Sequence, residues 1–178
     1  FRLQDFFLID VGERHTMLMR VREGAIVQSV STPHGLWNFA KAISKTHSLS
    51  MEEAVEIRNH YVEESIDRVP KGTQETLSKE MTMWRSAFMM TLDRFYRIGP
   101  FSEEVILCGG GARLPEIRAF LLEGEWMRGF SHFDRPTLRV VEGRALFEGD
   151  SLGGHLQGPE EFGLGSLIIY SLYYAPLF

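Results

Sequence analysis

The sequence predicts a layered α/β domain, and three observations carry that prediction. Three short apolar strands are crowded into the first 31 residues, a long helix with a single apolar stripe follows, and a further strand runs into a glycine triplet before a helix. Strands then alternate with helices to the end. Phe6 to Val11, Thr16 to Val21 and Ala25 to Ser31 are rich in Val, Ile, Met and Phe, the composition of strands. Arg22-Glu23-Gly24 joins the second to the third, since Gly24 accepts a positive φ in a hairpin turn. After Pro33-His34-Gly35 a helix is expected from about Leu36 to Lys45, with Phe39 and Ile43 one turn apart. Ser50-Met51-Glu52-Glu53 has the spacing of a capping box and opens the next helix.

Val69-Pro70-Lys71-Gly72 breaks the helical pattern, and a long helix is expected from Gln74 to Arg97. Leu77, Met81, Trp84, Phe88, Leu92 and Phe95 draw one stripe along it, which reads as a core face. Val105 to Leu107 is a strand, Glu116 to Leu122 a helix, Thr137 to Val141 a strand and Glu161 to Tyr173 the closing helix.

Composition excludes several classes of function. With 44% hydrophobic and 24% charged residues the chain is an ordinary globular domain, long enough for one core. A net charge of -5 argues against a nucleic-acid surface, which needs clustered Lys and Arg. The single cysteine, Cys108, cannot form an internal disulfide and suits a reducing compartment, so a cytoplasmic location is expected. It sits in an apolar strand as a small buried hydrophobe. No basic region precedes an apolar run at the start, and the opening at Phe1 reads as a piece of a longer protein. The apolar stretch from Leu164 is broken by Gly165, Ser166, Ser171 and Pro176, so membrane insertion by this chain is not expected. The six histidines show no metal-ligand spacing, and no P-loop, Gly-x-Ser-x-Gly elbow or H-E-x-x-H occurs.

Two segments carry the chemistry. In Val105-Ile106-Leu107-Cys108-Gly109-Gly110-Gly111-Ala112-Arg113-Leu114-Pro115 the glycines let a ligand lie against bare backbone. The helix starting at Pro115 then offers unpaired N–H groups to an electron-rich ligand. Leu114 stands where a dinucleotide fingerprint has its third glycine, so this is not a Rossmann loop. In Phe6 to Thr16, Asp10-x-Gly12 ends the first strand. A carboxylate there can hold a metal-bound water, and Thr16 can add a hydroxyl. The alternative is a plain hairpin turn.

Taken in order, these segments resemble the second half of bacterial actin-like ATPases of the FtsA and PilM group. Leu8-Ile9-Asp10-Val11-Gly12 through Thr16 is similar to that family's second phosphate loop, and Val105 to Pro115 to its adenosine motif. Ser31-Thr32-Pro33-His34-Gly35 resembles the segment before its first helix, Ser50 to Tyr61 its next helix, and Pro159 to Gly165 its closing helix. The resemblance implies a ribonuclease-H-like half-domain over residues 1–178, a mixed sheet flanked by helices, with a reduced helical insertion at about 47–73. It implies ATP and Mg²⁺ as ligands: Asp10, Gly12 and Thr16 at phosphates and metal, Gly109, Gly110 and Gly111 at the adenosine, Arg113 against the adenine and Arg58 on the helix flanking it. ATPase activity would be weak at most. The implied role is a cytoplasmic scaffold held at the inner membrane through divisome or pilus-assembly partners, with self-association compatible. Glu13-Arg14-His15 replaces the small residues usual in the loop and favours the rival reading, a protein-interaction module of the same fold without nucleotide.

Overall fold

The computed structural model describes residues 5–63, 66–95, 102–128, 135–143 and 158–163. Strand β1 (Phe6–Val11) is the centre of a five-stranded sheet ordered β3-β2-β1-β4-β5. It pairs antiparallel with β2 (Thr16–Arg22), which pairs antiparallel with β3 (Ala25–Thr32). On its other side β1 runs parallel to β4 (Glu104–Cys108), and β4 parallel to β5 (Thr137–Val140). Parallel neighbours need crossovers. The one between β3 and β4 carries helices α1 (Leu36–His47), α2 (Met51–Val62) and α3 (Thr73–Leu92), and that between β4 and β5 carries α4 (Pro115–Glu123).

Alternation along β1 sends Phe7, Ile9 and Val11 to one face, where they are fully buried with Leu18, Val105 and Leu107. The predicted stripe on α3 lands on that face. Leu77, Met81, Trp84, Phe88 and Leu92 are all buried. Trp84 stacks on Phe88 at 5.2 Å, Phe120 of α4 meets both rings edge-on, and Trp126 joins Phe88 at 5.5 Å to Phe7 of the sheet at 6.0 Å. Edge-to-face contacts of this kind add about 1 kcal/mol each beyond area burial. α1 contributes Leu36, Phe39, Ala40 and Ile43, one helical face against the same core.

The sequence reading of the elements holds with small shifts. The capping box forms, Ser50 Oγ accepting from the Glu53 amide at 3.2 Å while Glu53 accepts from the Ser50 amide at 2.8 Å. α3 ends at Leu92 and passes into a 3₁₀ turn at Asp93–Phe95, short of the expected Arg97, because beyond Leu92 the next two residues are exposed and no longer meet the core. Gly124 closes α4 in the left-handed conformation. The expected closing helix falls largely outside the described residues. Pro159–Glu161 forms a 3₁₀ turn at its start.

Candidate nucleotide site

The register fixes where a site can form. Asp10 lies opposite Cys108 across the parallel β1–β4 pair, so both strands end at the same level. The Gly12–His15 turn and the glycine triplet therefore stand side by side, beyond the carboxyl ends of the strands. The turn is closed by the Gly12 amide donating to the His15 carbonyl at 2.9 Å. α1 docks onto it: the Leu36 and Trp37 amides donate to the carbonyls of Gly12 and Glu13 at 3.1 and 2.7 Å, giving partners to two N–H groups of a helix start. Gly35 is required for this approach, since a Cβ there would fall 2.6 Å from the Gly12 carbonyl oxygen.

The triplet divides by function. A Cβ on Gly109, whose φ is +81°, would sit 2.3 Å from Asp10 Oδ1, and one on Gly111 would sit 2.1 Å from Val11 Cγ1. Those two glycines pack against β1. Gly110 instead faces a cavity, and a Cβ there meets side chains alone, Leu36 Cδ1 at 2.9 Å and Glu160 Cβ at 3.8 Å. Gly110–Arg113 winds into a 3₁₀ turn before Pro115, which takes the first position of α4 as the sequence predicted. The α4 start carries the chain's own acid, Glu116, to which Tyr61 donates its hydroxyl hydrogen bond. Burial, that bond and the Glu116 charge push the Tyr61 phenol up.

The cavity, of about 380 Å³, lies between α2, the β1–β2 turn and the glycine loop, and is lined by Glu13, Leu36, Arg58, Gly110, Arg113 and Glu160 among others. Three residues expected at the ligand, Arg58, Gly110 and Arg113, thus come together from separate segments. Each arginine is paired. Arg58 Nη1 donates to both Glu13 oxygens, at 3.0 and 3.1 Å. Arg113 forks onto Glu160, with Nε to Oε2 at 3.0 Å and Nη2 to Oε1 at 2.7 Å. The Glu160 segment is tied over the glycine loop by the Gly109 amide, which donates to the Pro159 carbonyl at 2.8 Å.

The remaining expected residues stand apart from this cavity. Thr16 is fully buried, its hydroxyl donating to the His34 carbonyl at 2.7 Å and accepting from Trp84 Nε1 at 2.9 Å. It braces β2 against α3 and the loop before α1, with no surface for a ligand. Asp10 is half-buried at the strand end beside Gly109, and desolvation pushes its carboxyl above the ordinary value near 3.8. Its carboxylate makes no hydrogen bond among the described residues. Cys108 is buried as expected, and desolvation followed by the Asp10 charge pushes its thiol up. Among the described residues no group of three His, Cys, Asp or Glu side chains could hold a metal by itself.

Sequence reasoning missed Glu160, and it treated Glu13 only as a charge repelling an anion. A bulky acid inside a glycine-bearing turn is the signal that Glu13 needs a cation nearby; Glu160, 47 residues from Arg113, has no local signal.

A sheet in this order, with a D-x-G turn and a glycine loop side by side at the strand ends, defines the class: the fold of one half of a bacterial actin-like ATPase. Solved structures share this fold. The chain is similar to the "PilM-PilN type IV pilus biogenesis complex", with 19% identity and a TM-score of 0.64 over 91% of this chain and 44% of that one. It is also similar to MreB5 of Spiroplasma citri bound to ADP, at 14% identity and TM-score 0.60 over 95% of this chain and 54% of that one. The same protein bound to AMPPNP matches at 14% identity and TM-score 0.59, covering 95% and 53%. The chain thus spans about half the length of these proteins, and at such identities the likeness is one of fold. No protein-family model and no curated protein sequence matches the chain. The mixed sheet flanked by helices expected from the sequence resemblance is the fold observed.

Proposed function

We propose that this chain is the nucleotide-facing half of an actin-like ATPase resembling PilM, with the adenosine end of an adenine nucleotide seated in the cavity beside Gly110. The observation that carries this reading is the convergence of Arg58, Gly110 and Arg113 on one cavity at the carboxyl ends of β1 and β4. The ADP and AMPPNP held by the two MreB5 structures support it. Asp10 fits Mg²⁺ as one acidic contact: its carboxylate is desolvated and has no partner among the described residues. A single carboxylate suits Mg²⁺, which keeps most of its waters and leans on ligand phosphates. The metal would supply charge neutralisation for the phosphates; Asp10 would orient one of its waters. ATPase activity of this half alone would be weak at most.

The larger role we infer is a cytoplasmic scaffold for pilus-assembly proteins, peripheral at the inner membrane through partners; the PilM–PilN likeness favours this over a divisome role. Among the described residues no helix is long and apolar enough to cross a membrane. A second reading, a protein-interaction module that has lost nucleotide, is favoured by the pairing of both cavity arginines with carboxylates of the chain. Calorimetry on Gly110→Val in the full-length protein separates the two. The first carbon of the added side chain meets the Leu36 and Glu160 side chains and no backbone atom, so the fold should survive while ATP affinity falls tenfold or more, about 1.4 kcal/mol. Equal affinities for variant and parent would remove the adenosine assignment, and no binding by the parent would support the module.

A further inference from the structure

The turn at Pro159–Glu161 is built around one carboxylate. Arg113 and Glu160 are 40% and 44% exposed, and a pair so open to solvent adds little to stability. The chain nevertheless fixes both partners. The Gly109 amide donates to the Pro159 carbonyl at 2.8 Å, and the Gly143 amide to the Gly158 carbonyl at 2.9 Å. The Gly158 amide donates in turn to the Glu161 side chain at 3.1 Å. On the other side Arg113 ends the 3₁₀ turn of the glycine loop, whose Ala112 and Leu114 amides donate to the Gly109 and Gly111 carbonyls at 3.0 and 3.1 Å. Gly158 belongs to the same arrangement. Its φ of -112° is open to any residue, yet a Cβ there would lie 2.3 Å from Glu160 Oε1. The missing side chain makes room for the carboxylate. This framework sets the plane of one guanidinium. Two parallel bonds, Nε to Oε2 and Nη2 to Oε1, engage one edge of Arg113 and stop its rotation. Nη1 keeps no partner among the described residues, and an edge-on fork leaves the flat faces free on the cavity wall beside Gly110.

We propose that Glu160 is a positioning residue for the base: through its fork it holds the Arg113 guanidinium in the plane on which an aromatic base stacks, with Gly158 leaving the space its carboxylate needs. A guanidinium binds a ring through its face, so the contact depends on the plane being set before the ligand arrives. Without the fork an arginine this exposed samples many rotamers, and ordering one of them is charged against binding. The proposal rests on the reading that the cavity takes an adenosine group, and deepens it by naming what orients the base.

The test is titration calorimetry of the full-length protein with adenosine and with Mg·ADP. The variants are Glu160→Gln, Gly158→Ala, Arg113→Ala and Arg113→Ala combined with Glu160→Gln. Arg113→Ala should weaken both ligands about fivefold, the worth of one guanidinium over a ring. Glu160→Gln leaves at most one bond in place of the fork and should weaken both about threefold. Its melting temperature should stay within about 2 °C of the parent, because the pair is exposed. Gly158→Ala keeps every charge but pushes the flexible end of Glu160 aside, and should reproduce the loss. In the Arg113→Ala background Glu160→Gln should add less than about 1.5-fold, since nothing remains to be positioned. Unchanged or tighter binding by Glu160→Gln, or the same loss when Arg113 is absent, would overturn the proposal and leave the adenosine reading standing. Parent-like binding by Gly158→Ala would overturn the part given to Gly158. A parent that binds neither ligand would overturn both readings.

Discussion

Substituting the glycine triplet one position at a time separates the residues that hold the loop from the one that faces the cavity. In Gly111→Ala the new methyl falls 2.1 Å from Val11 Cγ1 and 2.6 Å from Val11 Cβ. Carbon atoms at rest sit about 3.5–4.0 Å apart, so one side must move by more than an ångström. Val11 cannot move freely: it is fully buried and hydrogen-bonded within the central strand. Overpacking of this kind costs about 1–3 kcal/mol, and the backbone location puts Gly111→Ala at the upper end. For a domain of this size that is a fall of roughly 6–12 °C in melting temperature. Gly110→Ala crowds the end of the Leu36 side chain, at 2.9 Å, which a small rotation relieves, and touches Glu160 Cβ at an ordinary 3.8 Å. It should melt within about 2 °C of the parent, a change of less than about 1 kcal/mol. Differential scanning calorimetry on both variants makes the comparison. If Gly111→Ala melts with the parent, or Gly110→Ala melts lower than Gly111→Ala, the division of the triplet is wrong.

Two further substitutions examine the expected ligand residues outside the cavity. Thr16→Val leaves the Trp84 indole N–H and the His34 carbonyl without the hydroxyl they share, which should lower stability by about 2 kcal/mol or more. A urea midpoint within error of the parent would refute that bracing role. Asp10→Asn should raise the melting temperature at neutral pH while weakening any Mg²⁺-dependent nucleotide binding. The folded-state pKa of Asp10 is raised, so its favourable contribution is complete below about 3.8 and is lost as pH rises through the folded value. The parent should therefore lose stability relative to the asparagine variant across that interval, read by thermal scans from pH 3 to 7; parallel curves would show that Asp10 is not held desolvated.

What was legible in the sequence followed from local pattern. The apolar β1 strand, the α3 stripe and the Ser50–Glu53 cap each rest on neighbours within a turn or a strand, and each formed where expected. The glycine loop was legible because a strand running into glycines restricts what can follow. Partners far along the chain were not. Thr16 looks like a free hydroxyl beside a D-x-G turn until Trp84, 68 residues away, is brought against it by the packing of α3 on the sheet. Glu13 looks like a repulsive charge until α2 delivers Arg58 from 45 residues away. Side-chain pairing across elements is decided by the order and register of the sheet, and no spacing within either segment encodes it.

The same register explains why the two loops at the strand ends are unequal as ligand contacts. At the β1–β2 turn the Gly12 amide closes the turn, and the Gly12 and Glu13 carbonyls cap α1, so the backbone there is committed to the fold. In the glycine loop the Gly109, Ala112 and Leu114 amides have internal partners, whereas Gly110 and Gly111 are the first residues of a 3₁₀ turn. N–H groups in the first turn of a helix have no partner within it. Of these two residues Gly110 lines the cavity, and it does so beside Arg113, whose charge Glu160 already satisfies. Among the described residues the Gly110 and Gly111 amides thus have no backbone partner, while the side-chain cations of the cavity, Arg58 and Arg113, are each paired with a carboxylate of the chain.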